Sequence, residues 1–346
     1  MKIVAELSAN HLGSFNRACA IVDAAKAAGA AAVKLQTWTP GTMVLDPEAR
    51  ITGGRWDGLN MAELYAEAQL PWKAQEAVFE YARAHSIECF SSVFDTGALA
   101  FLEGLRCPRY KIASFELVDL PLIRAVAATR KPIILSTGMA YKGEIDEAVH
   151  AARSAGATDI TLLRCTSAYP ADASEANLAT MVSMARLWSC QPGLSDHTEG
   201  IGVAVTAAAL GATMIEKHVT LARDDGGLDA AFSIEPAELA LLVREARRAE
   251  RALGNAAAYG PGAAEKPQLG LRRSLHFTAD LEAGTTVERQ HLCTARPAAG
   301  VAPRLLAQVV GGKTTTAVRA GLPVTWDVVE RNSPIPMILK PEKHHL

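Results

Sequence analysis

The chain is short of aromatics, has no clustered cysteines, no excess of either charge and no long uninterrupted apolar run. Phe, Trp and Tyr make up 5% of its residues, which leaves no base-stacking platform for single-stranded nucleic acid. The formal net charge is −2, against the basic excess that a nucleic-acid surface needs. The six cysteines, at positions 19, 89, 107, 165, 190 and 293, include no Cys-x-x-Cys pair. They read as reduced, packed thiols of a cytoplasmic protein. No apolar stretch is long enough to span a membrane, and the opening lacks the apolar region of a secretory signal. What remains is a soluble globular chain of 346 residues, 49% hydrophobic and 21% charged. At that length two domains are expected.

Up to about residue 253 the sequence alternates short β runs with helical patterns. Strands are expected at 3–6, 32–36, 89–93, 109–112, 132–136, 160–164, 192–195 and 214–218. Amphipathic helices are expected at 15–28, 72–85, 145–155, 178–188, 201–210 and 236–253, the last with proline in its first turn. Eight such units over about 250 residues fit a (β/α)8 TIM barrel, placed at 1–254. A doubly wound sheet is the rival, but it usually stops at five or six strands. A polar insertion at 39–60, carrying Gly53-Gly54-Arg55-Trp56-Asp57, would sit over the barrel mouth. Residues 255–270 are rich in Ala, Gly and Pro and read as a linker. A small β-rich module is expected at 271–332, with turns at Glu282-Ala283-Gly284 and Arg319-Ala320-Gly321 that echo one another. The polar tail, 333–346, contains His344 and His345 and is set aside.

Strands buried on both faces should be almost purely apolar, and an unpaired buried charge is costly. Here the strand ends carry Glu6, Lys34 with Gln36, Ser91-Ser92, Lys111 with Ser114 and Glu116, and Ser136-Thr137. They continue with Arg164 and Thr166-Ser167, Ser195 with His197, and Glu216 with His218. Active sites of such barrels occupy the C-terminal ends of the strands. Two lysines, an arginine (Arg164) and several hydroxyls facing one cavity suit an anion with phosphate and carboxylate groups. Two histidines from neighbouring strands suit a divalent metal with open positions. His11 is either a helix-entry residue or a substrate contact; His85, His150, His276 and His291 read as surface residues.

These residues fall within motifs. Ile3-Val-Ala-Glu-Leu-Ser-Ala-Asn-His, Val33-Lys-Leu-Gln-Thr, Tyr110-Lys-Ile-Ala-Ser and Leu135-Ser-Thr-Gly-Met occur in that order. Cys165-Thr-Ser-Ala-Tyr-Pro, Gly193-Leu-Ser-Asp-His, Ile215-Glu-Lys-His and Arg273-Ser-Leu follow. The set resembles the sialic acid synthase family of phosphoenolpyruvate-condensing enzymes over nearly the whole chain. The C-terminal module resembles that family's SAF (antifreeze-like, β-clip) domain. The Ala-Glu-Leu-Ser-Ala-Asn-His opening, the Gly-Gly-Arg-Trp-Asp loop and Ser167 are similar to the branch that makes pseudaminic acid. Leu12 departs from the family's usual Asn.

The resemblance implies the following roles. Lys34 and Ser92 hold the phosphoenolpyruvate carboxylate, and Lys111, Ser114, Ser136, Ser167 and Ser195 surround its phosphate. His197 and His218 bind Mn2+ or Mg2+. Glu6, Gln36, Tyr169, Glu216 and Asp229 contact an open-chain acetamido sugar or a water at the metal, and Glu116 belongs to the same substrate cluster. Arg296, in Thr-Ala-Arg-Pro, reaches from the SAF domain into the active site of a partner subunit, so the working unit is a domain-swapped homodimer. The sugar implied is 2,4-diacetamido-2,4,6-trideoxy-L-altrose, with manno-configured acetamido sugars as the alternative. Two rivals are a synthase acting on a phosphorylated aldose and a non-catalytic glycan-binding protein. The first lacks a second basic cluster; the second does not explain charged strand ends.

Overall fold

A computed structural model describes residues 1–332; the tail from 333 onward lies outside the described residues. Eight parallel strands close into a barrel in sequence order. They are β1 (Lys2–Glu6), β2 (Ala32–Thr37), β3 (Glu88–Val93), β4 (Tyr110–Ile112), β5 (Ile133–Ser136), β6 (Ile160–Cys165), β7 (Gln191–Asp196) and β8 (Met214–His218). Closure is made by β1 on β8, where Glu6 lies opposite His218, while on its other side Glu6 lies opposite Lys34 of β2. The register therefore brings a carboxylate, an ammonium and an imidazole to one level of the barrel.

The helices are α1 (Phe15–Ala28), α2 (Pro40–Met43), α3 (Met61–Ala68), α4 (Trp72–Ala84), α5 (Thr96–Gly104) and α6 (Leu120–Ala127). After them come α7 (Lys142–Ser154), α8 (Ala179–Trp188), α9 (Gly202–Ala209) and α10 (Pro236–Leu253). Local chemistry sets their ends. Ser14 accepts from the Arg17 N–H at the start of α1, and Gly29 in the left-handed region stops it. Helix α10 opens on Pro236 with a Glu235/Glu238 capping box and buries Leu239, Leu242, Val243 and Ala246. That spacing is one apolar stripe laid on the barrel. Helices α5 and α6 are absent from the sequence reading: each is only about two turns, α5 is apolar or small at most positions, and α6, though Leu122, Ile123, Val126 and Ala127 make one buried stripe, is too short for its period to stand out.

The insertion after β2 is ordered. It contains α2, and Arg50 bridges Asn60 across a turn in which Gly53 N–H donates to Asp57 at 2.6 Å.

A second compact unit begins at Ala256. Its strands β9 (Ser274–Phe277) and β10 (Leu292–Ala295) pair antiparallel, over a core that includes Leu275, Phe277, Val287, Val318 and Val324. The two echoing turn segments meet each other, since Leu281 and Val318 exchange both backbone hydrogen bonds at 2.9 Å. His276 corrects the surface expectation. It is buried within β9 because the strand's neighbours cover it, with Nδ1 at 3.2 Å from the Ser274 carbonyl.

Candidate active site

A cavity of about 300 Å3 opens at the C-terminal end of the barrel strands. Strand alternation explains its polar floor. On β2, Lys34 and Gln36 face inward two residues apart, and on β7 and β8 the inward positions are Ser195, Glu216 and His218. The outward neighbours Asp196 and Lys217 are also buried, where they pair at 2.7 Å.

The charges interlock. Lys34 Nζ lies 2.5 Å from Glu6 Oε2 and 3.7 Å from Glu216 Oε1, and donates to Ser92 Oγ at 2.9 Å. Lys111 Nζ donates to Glu216 Oε1 at 3.2 Å, and the Ser195 hydroxyl donates to the same oxygen at 3.3 Å. All four charged groups are nearly excluded from solvent. Burial pushes the Glu6 carboxyl up to about 7, against the pull of Lys34. At Glu216 burial is outweighed by Lys111 and Lys34, which hold its carboxyl below the usual range. Lys34 is likewise held protonated despite burial, by Glu216 and Glu6.

A cradle lies beside Lys111. Ser114, Ser136 and Ser195 line it, and Ser114 Oγ accepts from the Gly138 N–H at 3.1 Å. A Cβ on Gly138 would stand 2.2 Å from Ser167 Oγ and 2.7 Å from Ser114 Oγ, so only glycine leaves both hydroxyls converging on that space. Ser136 Oγ and Glu216 Oε2, both buried, lack a hydrogen-bond partner among the described residues. Such groups in a native interior are expected to meet a ligand or water.

The imidazole pair is adjacent. The rings of His197 and His218 lie 5.2 Å apart, centroid to centroid. His197 Nδ1 sits 2.9 Å from the Thr166 carbonyl, which fixes that proton and leaves Nε2 as the lone pair. His218 Nδ1 is buried without a hydrogen-bond partner among the described residues, and burial drives its pKa well below the ordinary imidazole value. His197 is pushed the other way, its pKa raised against burial by the neighbouring Cys165; with its proton displaced, the pair would offer two imidazole nitrogens to a divalent cation that takes its other ligands from water or substrate. Among the described residues no group of three or more His, Cys, Asp and Glu side chains is placed to hold a metal ion, so any cation here would rest on these two imidazoles and on non-protein ligands.

Asp229 is buried in the cavity wall, 3.7 Å from His218 Nδ1, with its pKa raised by burial. Its Oδ2 receives the Ser8 hydroxyl. Gln36 Nε2 donates to Glu6 Oε1 at 2.9 Å and to Ser8 Oγ at 3.1 Å. Tyr169 covers the imidazoles, with ring centroids 4.4 Å from His197 and 5.4 Å from Trp56. The remaining wall is apolar and comes largely from the β2 insertion and α3: Ile51, Trp56, Met61, Leu64, Tyr65 and Ala68.

Most candidate residues from the sequence thus converge, while four stand apart. Arg164 spends its guanidinium on the backbone carbonyls of Cys165, Glu175 and Ala176 and does not line the cavity. Glu116 is half-buried near the cradle but off the cavity wall, with Oε2 unpartnered among the described residues. Arg296 is exposed in the second unit, just after β10. His11 is buried and accepts from the Gly13 N–H at 3.0 Å, so it closes a turn and does not line the cavity. The sequence reading left out Ser8 and the apolar residues of α3. It set Cys165 aside, yet Cys165 lines the cavity. Burial opposes its thiolate, but His197 and the Ser114 hydroxyl outweigh that and bring the thiol to about 6.

Fold and cavity together define a class: a TIM-barrel enzyme with an anion cradle beside an open imidazole pair. Residues 21–258 match the NeuB family, and 272–330 match the SAF domain. The chain belongs to the NeuB family. It is 40% identical over 335 residues to a pseudaminic acid synthase of Helicobacter pylori, covering 96% of this chain and 98% of that one. It is 33% identical to an N,N'-diacetyllegionaminic acid synthase of Campylobacter jejuni, covering 89% and 94%. Among solved structures, an N-acetylneuraminic acid synthetase of Leptospira borgpetersenii, in complex with citrate, is similar with a TM-score of 0.70. That similarity is at 31% identity and covers 77% of this chain and 89% of that one.

Proposed function

We propose that this enzyme condenses phosphoenolpyruvate with 2,4-diacetamido-2,4,6-trideoxy-L-altrose and water, giving pseudaminic acid and phosphate. One observation carries the reading: a two-lysine, four-serine anion cradle opens onto an imidazole pair and an aromatic wall within one cavity. The identity to pseudaminic acid synthases, higher than to the legionaminic enzymes, supports the choice of sugar.

In this reading Lys34 and Ser92 take the carboxylate of phosphoenolpyruvate. Lys111, Ser114, Ser136, Ser167 and Ser195 take its phosphate. The substrate's negative charges replace Glu6 and Glu216 as partners of the lysines. In so dry a site that compensation is far stronger than in water. Gln36, Tyr169 and Asp229 orient the open-chain sugar so that its aldehyde carbon faces the enol carbon in near-attack geometry. Glu6, with its carboxyl near 7, is suited to carry a proton in either direction at neutral pH. Glu216, held below the usual carboxylate range by Lys111 and Lys34, keeps both lysines in place until the substrate's charges take over. Water then adds to the cation at the second carbon, and phosphate leaves from the tetrahedral intermediate.

His197 and His218 would hold Mn2+ or Mg2+, in keeping with a family that is metal-dependent in general. When bound, the cation supplies Lewis-acid polarisation of the aldehyde oxygen. Trp56, Met61, Leu64 and Tyr65 offer an apolar wall to the deoxy end of the sugar. Arg296 completes the site of a partner subunit in a domain-swapped homodimer, where its donor fork suits an acetamido carbonyl. The free cysteines fit a reducing, cytoplasmic setting, and among the described residues no helix is long and apolar enough to cross a membrane. The direct test is phosphate release. It should require both phosphoenolpyruvate and the altrose derivative; release from phosphoenolpyruvate alone, or none with both, overturns the reading.

A further inference from the structure

Ser8 has no role in the assignment above, yet its surroundings are unusual. It follows β1 with φ +43°, a left-handed conformation that disfavours any residue with a Cβ and suits glycine. It is buried and lines the cavity. Its three polar contacts join the ends of β1 and β2 to the loop that follows β8. The backbone N–H donates to Glu6 Oε1 at 3.1 Å, the hydroxyl donates to Asp229 Oδ2, and Oγ accepts from Gln36 Nε2 at 3.1 Å. Without that hydroxyl, Asp229 Oδ2 retains only the Ala9 N–H at 3.5 Å and His218 Nδ1 at 3.7 Å. A side chain kept in a conformation that glycine would adopt freely points to use of the side chain itself.

We infer that Ser8 is a positioning residue for the sugar half of the site: its hydroxyl fixes the Asp229 carboxylate and the Gln36 amide in the orientation that receives the open-chain sugar. This rests on the condensing reading of the cavity. A hydroxyl has one proton and two lone pairs, and here the proton goes to Asp229 while one lone pair takes Gln36. Rotation of Ser8 is thereby blocked from both sides, and the two substrate-facing groups are held at a fixed separation. In that reading the phosphate of phosphoenolpyruvate lies against Lys111 and the serine cradle, and its carboxylate, at Lys34, meets this junction only through Glu6, whose bond from the Ser8 backbone N–H does not need the hydroxyl.

Ser8→Gly and Ser8→Ala in the full-length protein test the inference by steady-state phosphate release with each substrate varied in turn. Both variants should lose roughly 10- to 100-fold in kcat/KM for the sugar, the scale of one hydrogen bond to a charged group, while KM for phosphoenolpyruvate stays within about twofold. Ser8→Gly should melt no lower than wild type, because glycine accepts the left-handed conformation. The Ser8→Gly/Asp229→Asn double variant should be little worse than Asp229→Asn alone, since both changes disable the same unit. Equal losses for both substrates together with a lower melting temperature would mean a merely structural role and overturn the inference. So would unchanged sugar kinetics in Ser8→Gly, or fully additive losses in the double variant. An inactive wild type would overturn the underlying reading, and this inference with it, whereas normal wild-type turnover with indifferent Ser8 variants removes the inference alone.

Discussion

Replacing Gly138 with alanine isolates the anion cradle from the rest of the site. The added methyl would lie 2.2 Å from Ser167 Oγ and 2.7 Å from Ser114 Oγ, far inside contact distance. The backbone at Gly138 is not left-handed, so no strain from the main chain accompanies the change. The two hydroxyls are short side-chain ends and can rotate away. That relieves the clash but turns them from the space where phosphate is expected. Losing one or two hydrogen bonds to a charged phosphate amounts to about 1.5–3 kcal/mol each. For a single bond this is roughly 10- to 100-fold in affinity, and more if both are lost. Calorimetric titration of phosphoenolpyruvate, with phosphate-release kinetics beside it, gives the readout. Kd and KM for phosphoenolpyruvate should rise by at least tenfold while KM for the sugar moves little. A folded Gly138→Ala protein that binds phosphoenolpyruvate within twofold of wild type would refute the placement of the phosphate.

Other expected outcomes follow from neighbouring features. Excess chelator should abolish turnover and Mn2+ restore it, and His197→Ala or His218→Ala should lose activity by at least 100-fold, an order-of-magnitude figure for a lost metal contribution, without loss of the folded barrel by circular dichroism. Mixing Arg296→Ala with Lys111→Ala protein should regain part of the activity that each lacks alone, provided subunits exchange; exchanged mixtures that stay inactive would place Arg296 outside the partner's site. Burial raises the Glu116 carboxyl to about 7 from 4.5, so the folded state favours its protonated form. The stability this contributes is complete below about pH 4.5 and is lost as pH rises through about 7. Glu116→Gln should therefore raise Tm at pH 8 relative to wild type and change it little at pH 4; equal shifts at both pH values would contradict the assignment.

The eight strands were legible because each is a short apolar run closed by a polar residue, and that interruption is also what marks the site. Lys34, Lys111, Glu216 and His218 stand out since nothing in the core of a parallel sheet explains them. Helices α5 and α6 were not legible. Both are short: α5 is apolar or small at most positions, and the stripe of α6 repeats only once over its eight residues. Ser8 was hidden because its importance lies in a backbone conformation and in partners from β2 and from the loop after β8, neither of which leaves a mark on the local sequence. Asp196 and Lys217 sit between residues of the site yet face outward, a distinction that depends on register. Gly138 could be read as part of a motif, but not as a space that two serines need. His276 was misread because a short strand in a small module offers too few residues to show which face is covered.

The central claim is the identity of the sugar. Trp56, Met61, Leu64 and Tyr65 line the cavity and form a wall that is apolar apart from the Trp56 N–H and the Tyr65 hydroxyl, so in the proposed reading a hydroxyl at the sugar's sixth position finds few partners there. Absence of such a partner alone discriminates weakly, by about 10- to 100-fold, whereas an acetamido-binding group left unpaired discriminates more strongly. The decisive measurement is kcat/KM for 2,4-diacetamido-2,4,6-trideoxy-L-altrose, its manno-configured isomer and N-acetylmannosamine, side by side with saturating phosphoenolpyruvate and Mn2+. The account predicts highest kcat/KM with the altrose derivative, a nine-carbon acid and phosphate in equal amounts, and little or no turnover of N-acetylmannosamine. A higher kcat/KM for either of the other two sugars would contradict it.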